Sequence, residues 1–200
     1  MRNLRYIFLF ALFVLVSAPR VGAQAAQTAR TFYGLAAGAS TDLYGGGSSI
    51  AGFMAVASLG RRLVRGVDLQ FDAFVGQVAL TVDQGFSTQK LGADSMPTVT
   101  RATVTSATSV AGLTASWRLH LLSPFQTPRG ASEVYAMSGA GAYYFSEHAT
   151  GNHATRLGYS LGLGGSAPLR TRGPSVFVEF WVHALDRAHD FTWLSLGIRS

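Results

Sequence analysis

The sequence of 200 residues contains no cysteine and a single lysine, Lys90. Without cysteine there is no disulfide framework and no thiolate chemistry. Charged residues of both signs make up only 13% of the chain, about half the ~25% usual for soluble domains. A wetted outer surface is hard to build from so few ionic groups. After the first twenty residues no apolar run approaches the ~18 needed for a helix to cross a bilayer, so no transmembrane helix is expected. A dense basic patch is lacking as well. The net charge of +6 includes Arg2, Arg5 and Arg20 at the extreme N-terminus, and the rest of the chain carries only +3. Nucleic-acid binding is not expected of such a chain.

The N-terminus has a basic start (Arg2, Arg5), an apolar run from Tyr6 to Ala18, and small residues in VGAQA. This is the pattern of a secretory signal peptide over residues 1–23, with cleavage after Ala23 or Ala25. The remainder, from about residue 28 to 200, forms one domain.

What the chain has in abundance is glycine, 23 residues, and strict alternation. In VDLQFDAFVG, residues Val67, Leu69, Phe71, Ala73 and Val75 share one face, and Asp68, Gln70, Asp72, Phe74 and Gly76 the other. In TSVAGLTASWRLHLL, Ala111, Leu113, Ala115, Trp117, Leu119 and Leu121 oppose Gly112, Thr114, Ser116, Arg118 and His120. In LGYSLGLGGS, Leu157, Tyr159, Leu161 and Leu163 alternate with Gly158, Ser160, Gly162 and Gly164. A period of two means strand, because a helix would group its apolar residues three and four apart. Eight strands are predicted at roughly 30–39, 48–59, 66–80, 104–121, 133–145, 156–167, 175–184 and 191–199. Most approach the ~9–11 residues of a membrane-spanning strand.

The non-apolar rows hold mostly Gly, Ala, Ser and Thr with isolated charges, which suits a narrow lumen. The apolar rows, with Phe71, Trp117, Tyr159 and Phe180, then face lipid. Lipid cannot satisfy a sheet edge, so the sheet must close. The fold expected is all-β, a membrane-spanning eight-stranded antiparallel up-and-down barrel behind a cleaved signal peptide. Charge segregates accordingly. The connections 2–3, 4–5 and 6–7 carry Arg61, Arg62, Arg65, Arg129, Arg170 and Arg172, whereas the opposite connections carry Asp42, Asp83, Asp94, Glu147, Asp186 and Asp190. The longest outer loop is expected across 81–103.

GAGAYYF (139–145), LGYSLGLGGS (157–166), VFVEFWVHAL (176–185) and FTWLSLGIRS (191–200) resemble the small OmpA-like and OmpX-like eight-stranded outer-membrane barrels. The resemblance implies architecture more than activity. It implies residence in the outer membrane of a diderm bacterium, a monomer ringed by lipopolysaccharide or phospholipid, and delivery by periplasmic chaperones and the barrel-insertion machinery. Such barrels usually end in an aromatic residue, where this chain ends in Arg199 and Ser200.

Within a lumen only wide enough for side chains, Asp68, Asp72, Arg118, His120, Glu179, His183 and Arg199 are expected to form a polar network. Glu179 sits in the apolar run VFVEFWVHAL. An unpaired buried carboxylate is costly, so it needs a cation, and both Arg199 and Arg118 are within topological reach. No catalytic residue, cofactor or metal is assigned. A lipid A acyltransferase or deacylase is the alternative. It would need a serine, a base and an acid at the outer rim, for which Ser146, Glu147, His148, His153 and His183 are the candidates. A metal site at His148, His153 and His189 lacks ligand spacing on one element. A soluble, secreted lipocalin-like barrel is the second alternative.

Overall fold

The computed structural model describes residues 31–43, 52–89, 98–122, 126–127, 130–147, 151–171, 173–186 and 189–200; side chains are not described for 80–106 or 123–130. The predicted leader, together with Lys90, Asp94, Arg129, His148 and Arg172, lies outside the described residues. Eight long strands run β1 (Thr31–Asp42), β2 (Gly52–Val64), β3 (Val67–Gln89), β4 (Thr98–Leu122), β5 (Glu133–Glu147), β6 (His153–Pro168), β7 (Ser175–Ala184) and β8 (Phe191–Arg199). Every strand pairs antiparallel with its sequence neighbours, and β1 closes on β8 from Gly34 opposite Arg199 to Asp42 opposite Phe191. The result is a closed up-and-down barrel, the fold class the alternation predicts. A two-residue ladder, Gln126–Thr127 with Gly130–Ala131, lies in the connection between β4 and β5.

Over most of each strand the two rows separate, with exceptions at strand ends such as Phe191–Trp193, all three buried. Leu35, Phe53, Phe71, Val75, Leu113, Trp117, Leu157, Tyr159, Leu163, Phe180, Leu194 and Leu196 all point outward, with Leu157 reaching 79% exposure. Their neighbours on the other row, charged residues among them, are buried inside. A soluble barrel would reverse this arrangement.

The barrel has a terminal end, where Thr31 and Arg199 lie, and a loop end. At the terminal end β2 turns into β3 through Arg65 and Gly66, whose φ of +83° is a conformation glycine adopts without a Cβ penalty. At the loop end the expected long loop is instead an extension of the ladder. Beyond Gln77, β3 pairs with β4 alone among the described residues, out to Gln89 opposite Thr98, with an irregularity between Asp83 and Phe86. At about 3.3 Å per residue this ribbon projects roughly 40 Å. Its β4 arm, TVTRATVTS, is rich in Thr and Val. Such β-branched residues favour the extended pairing.

Inside, rings occupy space that glycine leaves open. A Cβ on Gly112 would come within 2.3 Å of the Phe74 ring, and one on Gly164 within 2.4 Å of Tyr135. The inward glycines of LGLGG (161–165), Gly162 and Gly164, are therefore counterparts to Trp181 and Tyr135 on the adjacent strands. The lumen is packed rather than lined only by small residues.

Candidate functional site: the lumen

The lumen divides into two halves along its axis. The loop half is dominated by apolar and aromatic side chains, with Ser40, Thr108, Asp190 and Thr192 buried among them. Met54, Val56, Phe74, Val78, Val110, Tyr143, Phe145, Trp181, Phe191 and Trp193 form a buried cluster there. The Phe74 ring meets Trp193 edge-on at 5.0 Å between centroids, and Trp181 meets Trp193 at 6.4 Å. Edge-to-face and offset contacts of this kind hold rings in register. The cluster is a plug.

The terminal half is ionic, and Glu179 is its centre. At 4% exposure its Oε1 accepts from Arg199 Nη2 at 2.8 Å, Arg118 Nη2 at 3.3 Å and the Tyr135 hydroxyl at 3.0 Å. Its Oε2 accepts from Trp181 Nε1 at 3.2 Å. The two arginines open to the sequence are both partners. Arg199 stands opposite Ser175 in the β7–β8 register, so its side chain runs along the lumen to reach Glu179. Its guanidinium carbon lies 4.2 Å from the Phe177 ring centroid. Phe32 lies between the cations, 4.9 Å from Arg118 and 5.0 Å from Arg199. Guanidinium over a ring face is attractive in such desolvated surroundings.

A second carboxylate extends this network towards the terminal rim. Asp68 pairs with Arg62 Nε at 3.0 Å and His120 Nε2 at 2.8 Å, with Arg118 Nη1 farther off at 3.9 Å. These contacts follow from register: Asp68 stands opposite both Arg62 on β2 and Arg118 on β4. His120 Nδ1 then lies 3.3 Å from Glu133 Oε2. Asp72 joins through Gln70, whose Nε2 donates to Asp72 Oδ1 at 2.7 Å and whose Oε1 accepts from Arg118 Nη2.

Of the seven residues singled out in the sequence, Asp68, Asp72, Arg118, His120, Glu179 and Arg199 are thus brought together. His183 is placed elsewhere. It is 1% exposed, it lies in the aromatic plug with its ring stacked on Phe191 at 4.7 Å and tilted against Trp193 at 4.3 Å, and its Nδ1 is 2.8 Å from the Tyr143 hydroxyl. It shares the inward row with Glu179, but two residues of strand carry it past Trp181 into the apolar half. The sequence reading missed Gln70, Tyr135, Trp181, Arg62 and Glu133. Gln70 and Trp181 carried a signal, since each shares inward parity with residues of its own strand recognised as lumenal, Asp68 and Asp72 for Gln70 and Glu179 for Trp181.

At the loop rim Ser146 stands opposite His153. The His153 ring stacks on Tyr144, and its Nδ1 is 2.9 Å from the Tyr144 hydroxyl. Sealed in the plug, His183 is not at the rim as a base. His189 Nδ1 is 2.7 Å from Asp186 Oδ1, and Asp186 also takes Arg156 Nε at 2.8 Å. Among the described residues no group of three or more His, Asp or Glu side chains is arranged to hold a metal ion.

A closed eight-stranded barrel, apolar outside and ionic within, defines the class: the fold of the small outer-membrane barrels. Neisserial surface protein A has this fold, with a TM-score of 0.54 at 15% identity over 86% of this chain and 98% of that one. Also similar in structure are the N-terminal barrel domain of Pseudomonas aeruginosa OprF, with a TM-score of 0.48 at 11% identity over 86% and 97% of the two chains, and Yersinia pestis Ail, with 0.42 at 13% over 86% and 97%. No protein-family model and no curated protein matches the sequence.

Proposed function

We propose that the chain is an exported outer-membrane barrel of a diderm bacterium, with a structural and surface-contact role and no catalytic one. The observation that carries this reading is the inversion of the usual order: large apolar side chains cover the outside while paired charges lie within. Only a lipid solvent makes that arrangement favourable. Residues 1–23 direct export, and periplasmic chaperones and the barrel-insertion machinery deliver the chain. It works as a monomer whose belt contacts lipopolysaccharide and phospholipid. By the rule that periplasmic turns are short and outer loops long, the terminal end faces the periplasm and the β3–β4 ribbon projects outward. The ribbon is the surface-contact element.

The plug argues against conduction. Reconstituted into planar bilayers, the protein is expected to give no stepwise current, and a steady open-pore conductance would overturn the reading. Lipid A from a strain lacking the gene is expected to have an unchanged mass spectrum. Loss or gain of an acyl chain, abolished by His153→Ala, would favour the enzymatic alternative.

A further inference from the structure

Between the Glu179 network and the terminal rim the barrel encloses a vestibule of about 790 Å³. That volume lies within the ~300–1,000 Å³ of small-ligand sites. Phe32, Arg118 and Arg199 line its inner end, and the aromatic cluster fills the lumen beyond them, so the space is a blind pocket rather than a path across the membrane. Its lining is rich in guanidinium groups. Among the described side chains there, Arg62, Arg118, Arg170 and Arg199 stand with His120 and with the carboxylates Asp68 and Glu133. Glu179 lies beyond the lining and is shared by Arg118 and Arg199.

The Nη groups of the two inner arginines are engaged by Glu179, Gln70 and Tyr135, and one donor of each is left over. Both are buried, and Nε of each has no hydrogen-bond partner among the described residues. A buried donor without an acceptor is costly, and a planar guanidinium matches an oxyanion better than any other side chain does. Their ring contacts with Phe32, Phe177 and Tyr135 hold the guanidiniums in place before any ligand arrives. Arg170, in the β6–β7 turn, stands exposed at the mouth.

We infer that this vestibule is a binding site for a small oxyanion, a phosphate- or carboxylate-bearing solute. Arg118 and Arg199 form its floor, and Arg62 and Arg170 its mouth. Because the described residues lining the pocket lie at the terminal end, the ligand enters from the periplasm under the orientation proposed above. The binding itself does not depend on that orientation, so its failure and a failure of the membrane assignment are distinguishable.

The test is isothermal titration of the refolded protein in detergent micelles with inorganic phosphate and, separately, succinate, against sodium chloride at matched ionic strength. Saturable binding of at least one anion is expected, weakened tenfold or more in Arg170→Gln and in Arg62→Gln. Arg170→Gln touches neither the plug nor the Glu179 contacts, and unchanged gel mobility of the unheated protein verifies its fold. Arg118→Gln, if it folds, is expected to abolish binding. If neither anion binds saturably beyond chloride, or if both mouth variants bind as the parent does, the inference is overturned.

Discussion

Glu179→Ala is expected to lower the unfolding free energy by about 3–5 kcal/mol, read from urea unfolding in micelles or bilayers. The wild-type carboxylate serves four donors from four strands, Arg118 of β4, Tyr135 of β5, Trp181 of β7 and Arg199 of β8. Its removal leaves two buried guanidiniums facing one another with no anion between them. Burying charge costs several kcal/mol per ion even after relaxation, and only the mutual attraction offsets it. Glu179→Gln keeps an acceptor for Tyr135 and loses the charge, so its loss is expected to be smaller. An unfolding midpoint unchanged in Glu179→Ala would refute the pairing.

The second large effect concerns the outside of the barrel. Leu113 is 66% exposed halfway along the paired part of β4, opposite Ala73 and Ala142. If that surface lies in hydrocarbon, Leu113→Arg costs about 2–4 kcal/mol at the bilayer midplane. The same change at Leu122, equally exposed at the terminal rim, is expected to cost only about 0–1 kcal/mol. The gradient matters more than either value. On a water-facing surface neither arginine would be costly, and equal, negligible effects at both positions would contradict the lipid assignment.

Much of this architecture was legible because a barrel in lipid leaves a periodic record. Each residue of VFVEFWVHAL has only two possible directions, so a single misplaced acid, Glu179, reports which row is the interior. The eight strands were legible for the same reason. What the period of two does not encode is depth along the barrel axis. Glu179 and His183 share a row, yet one lies among arginines and the other among Phe191, Trp193 and Tyr143. Depth is set by cross-strand register, which local pattern leaves open. The same gap hid the plug: Phe74, Trp181 and Trp193 come from three strands and meet only once register is fixed. Choosing between Arg118 and Arg199 was not possible from sequence, since the chain uses both. The ribbon went unread because Gly85, Asp94 and Pro97 suggest a loop, whereas Thr–Val pairing continues on either side of Asp83.

Every feature described above depends on the barrel folding with its apolar rows in lipid. The most direct measurement fractionates cells expressing the full chain and compares the membrane fraction by SDS gel electrophoresis with and without boiling. A lipid-facing barrel is expected in the outer-membrane fraction, released only by detergent, with a mobility before boiling that differs from the mobility after. Recovery in the soluble periplasm, with one mobility under both conditions, would contradict the account.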